Sequence, residues 1–148
     1  MRITAKGRYA LAAIISLADN YNNGEYITII SISDRLGISK IYLEQVFSLL
    51  KRGGIVNSIK GTQGGYQLVR MPQQITVLDV LSAVELSLFE PAERTVKEKA
   101  PEIETALRLS VFENLDDAVK NTLSQITLED LLNEVEKQKS KSELMFYI

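Results

Sequence analysis

Apolar residues recur at three- and four-residue spacing along much of this chain, and the pattern predicts a mainly helical protein. Residues 9–18 are apolar around almost the whole circumference of a helix, which is typical of a buried element. We therefore expect a central first helix over residues 8–21. The chain breaks at Asn22 to Gly24, and residues 26–28 are predicted to be a short extended piece.

Residues 28–69 contain the pattern around which the rest of the chain is interpreted. Ser31, with Asp34 three residues later, is typical of a capping box that starts a helix. Gly37 is placed to supply the left-handed residue that ends this helix. A short helix and a tight turn are therefore predicted.

A second helix is expected immediately after that turn. Ser39 is its predicted N-cap, and residues 40–52 place apolar side chains on one face, namely Leu43, Val46, Phe47 and Leu50. A glycine-rich hairpin over residues 55–69 follows. This order predicts a winged helix-turn-helix, which lays its second helix in the major groove of DNA.

The opposite face of the second helix carries the candidate DNA-reading side chains. Gln can pair with adenine through two hydrogen bonds, and Glu can accept from the amino group of cytosine. An ordinary solvated helix face would have a similar composition, and it is the following hairpin that favours DNA. The candidates are Ser39, Lys40, Ile41, Tyr42, Glu44, Gln45 and Ser48.

Cations concentrate in the first half of an acidic chain. The formal net charge is −2, yet residues 1–70 carry nine cations and four acids, a net charge of +5, whereas the remainder carries −7. A basic N-terminal head of this kind suits binding to a polyanion such as DNA. An uneven distribution of charge is by itself only a weak indication of DNA binding. The candidate phosphate contacts are Arg2, Lys6 and Arg8 beside the first helix, with Lys60 and Thr62 at the tip of the wing.

The second half of the chain predicts a helical dimerisation region. Thr76 and Asp79 are expected to cap a helix running to about Leu86, and a long helix is expected from about Pro101. The apolar stripe of the long helix is wider than one small domain needs, so it should also meet a second copy of the chain. The predicted contacts are Ile103, Leu107, Val111, Phe112, Leu115, Val119 and Leu123.

These elements divide the chain into three predicted parts. Residues 1–86 form the winged helix-turn-helix domain, and residues 87–138 form a linker and the dimerisation helices. Thr127 and Asp130 cap the last helix, which is expected to end near Lys137. Residues 139–148 form a C-terminal tail.

The tail ends on five apolar residues after a polar spacer. Leaving large apolar side chains in water forgoes roughly 1.5 to 3 kcal/mol each, so they should dock somewhere. A groove of the protein's own dimer and the surface of another protein both remain open. The candidate partner-binding residues are Met145, Phe146, Tyr147 and Ile148.

The composition excludes several classes of chemistry. The chain has no Cys and no His, which removes disulfides, thiolate metal sites and imidazole acid–base catalysis. No nucleophile–base pair is evident, so an enzyme is disfavoured. No apolar run is long enough to span a membrane, and a cytoplasmic protein is expected. Besides a DNA-binding regulator, an enzyme-binding regulatory subunit or a sensor of a small molecule would fit.

Three blocks together carry a family resemblance: residues 1–10, 38–47 and 54–68. They resemble the Rrf2 family of bacterial winged-helix transcription regulators, and the resemblance extends through residues 126–131. It implies a homodimer on an imperfect palindrome, with Tyr42, Glu44 and Gln45 on the reading helix. It also implies that Lys60 lies in the wing, where many members carry Arg.

Several members of this family are known to hold an iron–sulfur cluster with three Cys in the loop before the long helix. The corresponding residues 88–98 contain neither Cys nor His, so no cluster is expected. The last residues resemble those of cysteine-metabolism repressors of this family. That likeness implies a repressor of sulfur-metabolism genes whose partner is O-acetylserine sulfhydrylase (cysteine synthase). Serine acetyltransferase inserts a C-terminal Ile into the active site of that enzyme, and we hypothesise that Ile148 does the same. O-acetylserine would then compete for the pocket.

Overall fold

The computed structural model describes residues 3–21, 24–61 and 64–146. The elements in chain order are α1 (Ala5–Ala18), α2 (Ile29–Leu36), α3 (Lys40–Arg52), β1 (Val56–Ile59), β2 (Gly65–Leu68), α4 (Val77–Val84), α5 (Pro101–Leu107), α6 (Glu113–Ser124) and α7 (Leu128–Phe146). A 3-10 turn precedes α4, and a π segment, Arg108–Phe112, joins α5 to α6. The order confirms the predicted fold class, a winged helix-turn-helix followed by a long helix.

Helix α1 is the central buried helix of the head, as predicted, but it begins three residues earlier than expected. The Thr4 hydroxyl caps it by accepting from the backbone N–H of Gly7. Its apolar faces pack against α3 and α4, and Ala10, Ala13 and Ile14 are fully buried. The helix ends at Ala18, three residues before the predicted end.

Helix α2 begins at a different residue from the one predicted. The Thr28 hydroxyl accepts from the N–H of Ser31 at 3.1 Å, so Thr28 is the N-cap and the predicted start at Ser31 is wrong. The reason is tertiary, because Ile27 pairs as a strand residue with Tyr66 and the chain turns directly from that bridge into the helix.

The turn between α2 and α3 has the predicted chemistry. Gly37 has a φ of +69°, a left-handed conformation that glycine adopts without a steric cost. The Ser39 hydroxyl caps α3 by accepting from the N–H of Tyr42 at 3.2 Å. Below the turn lies the core, in which Phe47 is the largest fully buried side chain. It belongs to one cluster of buried residues, which also includes Ile14, Ile32, Leu43, Val46, Leu50 and Leu128.

The wing is a short antiparallel hairpin extended by one bridge residue. Strands β1 and β2 pair with Val56 opposite Leu68 and Ile59 opposite Gly65. Ile27 exchanges two backbone hydrogen bonds with Tyr66, of 2.9 and 2.8 Å. A Cβ at Gly65 would lie 2.7 Å from the Ile27 carbonyl oxygen, so a larger residue there would push Ile27 away from the wing.

The C-terminal half is tied to the head where the starts of α4 and α7 meet, because Thr76 and Thr127 pair as an isolated antiparallel bridge. Thr76 and Asp79 form the predicted capping box of α4, which ends at Val84 rather than at Leu86. Thr127 and Asp130 bond reciprocally at the start of α7, also as predicted. Leu128 is fully buried in the head core, and its N–H donates to the Ile75 carbonyl at 2.9 Å. The division of the chain at residues 86 and 138 stays a prediction.

Helix α7 is much longer than expected. It continues to Phe146, so both the predicted end near Lys137 and the predicted polar spacer are wrong. The polar residues there are good helix formers that bond along the helix, as between Gln138 and Glu134 at 2.7 Å and Lys139 and Glu136 at 3.2 Å. In the three described ranges, no helix has the length and apolar character needed to cross a lipid bilayer.

Candidate nucleic-acid interface

The outer face of α3 presents a set of polar and apolar side chains to solvent. Ile41 is the most exposed large apolar residue of this helix, at 72%. Lys40, Glu44, Gln45 and Ser48 are also exposed, whereas the apolar face of the same helix is buried. The structure therefore brings these predicted reading residues onto one accessible surface, and their contact with DNA stays a prediction.

Two of these side chains form a loose ion pair. Lys40 Nζ lies 3.9 Å from Glu44 Oε1, one helical turn away, and both side chains are about half exposed. Such a pair holds neither group firmly, so both remain accessible to a ligand. Gln45 makes no side-chain hydrogen bond within the described part of the chain, which leaves its amide donors and acceptor available for a base edge.

Ser39 and Tyr42 have structural contacts at the beginning of the reading helix. The Ser39 oxygen is already used by the N-cap hydrogen bond. The Tyr42 ring is half buried and meets the Tyr9 ring edge to face, with centroids 5.3 Å apart. Ser39 therefore starts α3, and Tyr42 joins α3 to α1, in addition to any contact with DNA.

The wing is fixed to the reading helix at two points. Lys51 Nζ donates to the Ser58 hydroxyl at 2.7 Å, which joins the last turn of α3 to β1. The Tyr66 ring of β2 packs on Phe47 with centroids 4.7 Å apart. Lys60 is exposed where the hairpin turns, as predicted, and Thr62 lies outside the described residues.

A shallow groove connects the wing with the start of the reading helix. It has a volume of about 250 Å³ and is lined by Thr28 at the start of α2, Lys40 at the start of α3, and Gly64 and Gly65 where β2 begins. The tip end of β2 and the N-terminus of α3 therefore border the same groove.

The first turn of α1 carries two of the predicted phosphate contacts. Lys6 and Arg8 are both exposed, and Arg8 Nη1 donates to the Ile3 carbonyl at 2.7 Å. Arg2 lies outside the described residues. Arg35 is engaged elsewhere, because its guanidinium bonds Asp19 at 3.0 Å and the Ser16 hydroxyl at 3.1 Å.

The long helix carries the apolar surface that was predicted for dimerisation. We call the exposed part the long-helix surface: Ile103, Leu107, Val111, Phe112 and Leu115, which are 36 to 54% exposed. Val119 and Leu123 are only half exposed, because α6 packs against α4 of the same chain. Leu109, 51% exposed, was not among the predicted residues.

Residues 3–134 of the chain match the Rrf2 family, which is described as an iron-dependent transcriptional regulator. The chain belongs to the Rrf2 family. It is 37% identical over 136 residues to the HTH-type transcriptional regulator IscR of Photorhabdus laumondii, covering 92% of this chain and 82% of that protein. IscR of Escherichia coli O139:H28 is 38% identical over the same length and is 83% covered.

Solved structures of Rrf2 proteins have the same fold. CymR of B. subtilis, titled the global cysteine regulator, is 34% identical with a TM-score of 0.73, covering 90% of this chain and 98% of that one. IscR of T. potens is 31% identical with a TM-score of 0.72, covering 93% and 90%. The matched family and the curated IscR relatives are described as transcriptional regulators, which confirms that the chain is a DNA-binding transcriptional regulator and not an enzyme.

The description of the family mentions iron, which raises the question of which side chains of this Rrf2 chain could be iron ligands. An iron–sulfur cluster needs thiolate or imidazole ligands, and the sequence has neither Cys nor His. Across the described ranges, no group of three or more carboxylates could hold a metal ion either. The linker between α4 and α5, residues 85–100, instead borders an open cavity of about 460 Å³ against α5 and α6, lined in part by Arg94, Glu104 and Phe112. The residues present do not fit a cluster.

Two features of this Rrf2 protein were not predicted from its sequence. Glu85 is a buried carboxylate that bonds the start of α1, and the sequence shows only an acidic residue after an apolar helix. Lys51, in the last turn of α3, bonds the wing, and nothing in the sequence indicates this contact. Each contact joins residues that lie far apart in the sequence or on different elements, and neither has a local sequence signal.

We expect Gln45→Ala to relax sequence preference at one base pair. Removing the two hydrogen bonds to the base should cost about 1 to 3 kcal/mol against the preferred base and little against the others. Binding to a set of operator variants, each with one substituted base pair, measures this. Gln73→Ala is the matched control, since Gln73 is exposed in the 3-10 turn away from the reading helix. A uniform loss across all variants would contradict base readout by Gln45.

Proposed function

We propose that this chain is a homodimeric repressor of cysteine and sulfur-metabolism genes that works without an iron–sulfur cluster. The observation that carries the proposal is the exposed outer face of α3, which lies beside a rigidly attached wing and near a basic first turn of α1. Residues of these elements would bind DNA: Arg2, Lys6, Arg8, Ser39, Lys40, Ile41, Tyr42, Glu44, Gln45, Ser48, Lys60 and Thr62.

The homodimer is supported by the long-helix surface. Five large apolar side chains that are exposed on one helix are unusual for a monomer and are typical of an interface. A two-fold axis through this surface would place two reading helices about one DNA turn, roughly 34 Å, apart. The operator would then be an imperfect palindrome.

Sulfur metabolism is supported by the likeness to CymR, which is titled a global cysteine regulator. The absence of Cys and His separates this chain from cluster-bearing sensors, so its signal would have to arrive by another route. We propose that the route is a partner enzyme, O-acetylserine sulfhydrylase, held by the end of α7. O-acetylserine would compete with the regulator for that enzyme.

The proposal is tested by recovering genomic DNA fragments with the purified protein and sequencing them. We expect enrichment of imperfect palindromes upstream of genes for sulfur-amino-acid metabolism. Binding to these fragments should weaken as salt rises, because phosphate contacts release counterions. Failure to enrich any sequence would instead favour an enzyme-binding subunit that uses little DNA.

The partner proposal uses the exposed apolar end of α7. Leu144, Met145 and Phe146 are 64 to 86% exposed, and Tyr147 and Ile148 lie outside the described residues. A chain lacking Tyr147 and Ile148 should lose roughly tenfold or more of its affinity for O-acetylserine sulfhydrylase, since an apolar anchor in a pocket carries much of such an interface. Isothermal titration calorimetry of the enzyme with each chain in turn measures the difference in affinity.

A matched control keeps this prediction specific. Ser142→Ala lies on the same helix but changes no apolar residue, and it should bind the enzyme like the full chain. Addition of O-acetylserine should weaken the complex formed by the full chain. Equal affinities of the full and shortened chains would exclude the last two residues as the anchor.

A further inference from the structure

Glu85 is a carboxylate in an unusual place. It follows the last residue of α4, where the linker begins, and it is only 8% exposed. Within the described ranges, Ser16 is the only other polar residue that is as deeply buried. A buried carboxylate is costly unless hydrogen bonds compensate for lost water, so its partners define its role.

The partners of Glu85 lie at the start of α1, 81 residues earlier in the chain. The backbone N–H of Thr4 donates to Glu85 Oε1 at 2.9 Å, and the Thr4 hydroxyl donates to the same oxygen. The Thr4 hydroxyl also accepts from the N–H of Gly7 at 3.3 Å as the N-cap of α1. The carboxylate thus completes the cap of a helix whose N-terminus favours negative charge.

Gly7 provides an independent observation of the same contact. Its position is buried, and a Cβ built there would overlap the Glu85 carboxylate and lie 2.7 Å from Ile3 Cγ2. The side chain of Glu85 therefore lies directly against the backbone of the first turn. It touches the turn that carries Lys6 and Arg8, whose side chains point to solvent.

We propose that Glu85 is a positioning residue for DNA binding. It does not touch DNA; it holds the first turn of α1 so that Lys6 and Arg8 meet phosphates in register with the reading helix. The inference rests on the proposed DNA-binding role of these two cations. Glu85 also lies where the linker leaves the head. Its carbonyl accepts from the N–H of Leu88 at 3.0 Å, which starts a turn directly after α4.

The test compares the effect of Glu85→Gln in the unmodified chain with its effect in a chain that lacks the Lys6 and Arg8 cations. In the full-length protein, on an operator fragment recovered with the unmodified chain, Glu85→Gln should weaken binding roughly tenfold, the size of coupling expected for groups in one network. The dependence of binding on salt should become shallower by about 0.9 in logarithmic slope for each phosphate that the variant no longer neutralises. In a chain that already carries Lys6→Ala and Arg8→Ala, Glu85→Gln should have no further effect.

A second pair of variants tests the Thr4 side of the same contact. Thr4→Val removes the hydroxyl that Glu85 accepts from, whereas Thr4→Ser keeps it. We expect Thr4→Val to reproduce the loss of affinity and Thr4→Ser to restore it, with the folded state of each chain checked by circular dichroism. This pair remains informative if the Glu85 variant does not fold.

The outcomes distinguish this inference from the proposed function. If Glu85→Gln weakens the unmodified chain and the Lys6, Arg8 double variant equally, the effect is general and positioning is wrong. If the double variant binds less tightly but Glu85→Gln and Thr4→Val bind normally, only the inference fails. If the double variant binds like the unmodified chain, the N-terminal DNA contacts are wrong and the inference falls with them.

Discussion

A chain carrying Leu107→Glu and Leu115→Glu is expected to be a folded monomer with greatly weakened DNA binding. Both side chains are exposed in the single chain, at 39% and 50%, so the head should tolerate the change. In a dimer the same carboxylates would be buried without partners, at a cost of several kcal/mol. Each half-site of the operator would then be bound by a separate monomer, without the avidity of a dimer. Affinity for the operator should therefore fall by roughly 10²- to 10⁴-fold. Analytical ultracentrifugation and gel shifts on the recovered operator measure the two effects.

Met71→Glu is the control for this prediction. Met71 is 42% exposed, much like Leu107, but it lies before the 3-10 turn and outside the long-helix surface. The Met71→Glu substitution should leave both the oligomeric state and the DNA affinity unchanged. A double Glu variant that sediments as a dimer would show that the chain associates through a different surface.

The second large effect is expected from Phe47→Ala. Phe47 is the largest fully buried side chain, and its ring packs on Tyr66 of the wing. Removing it should lower the free energy of unfolding by about 3 to 5 kcal/mol, because the transfer energy is lost and a cavity remains. Urea denaturation followed by circular dichroism gives this value. The wing would also lose the ring packing that fixes its angle to the reading helix.

Phe89→Ala provides a comparison with the same chemical change at an open site. Phe89 is partly exposed in the linker, where Lys120 Nζ lies 5.0 Å from its ring centroid. Its loss should cost about 1 kcal/mol or less. Similar losses for Phe47 and Phe89 would contradict the assignment of Phe47 to the core.

The helix-turn-helix could be predicted because its signals are local. Gly37 and Ser39 determine the turn through their own backbone and side-chain chemistry, and the apolar spacing of α3 determines which face is buried. The paired caps at Thr76 and Thr127 are local in the same sense. These elements therefore needed no knowledge of distant contacts.

The features that could not be predicted depend on distant or competing interactions. Thr28 starts α2 because the preceding residue pairs with the wing, which a capping pattern at Ser31 cannot reveal. The polar end of α7 was interpreted as a spacer because it lacks an apolar stripe, although its residues bond to one another as a helix. The Glu85 contact joins residues 81 positions apart and has no periodic signature.

The root of α7 has a mechanical consequence. Leu128 is embedded in the head core, and Leu131 and Leu132 pack against that core. The helix continues beyond Leu132 to Phe146, which at about 1.5 Å per residue gives an arm about 21 Å long. A sideways displacement of about 5 Å at the tip of such an arm corresponds to a tilt of roughly 13° at its root. A protein that grips the tip would thus have leverage on the head without approaching the DNA-facing side.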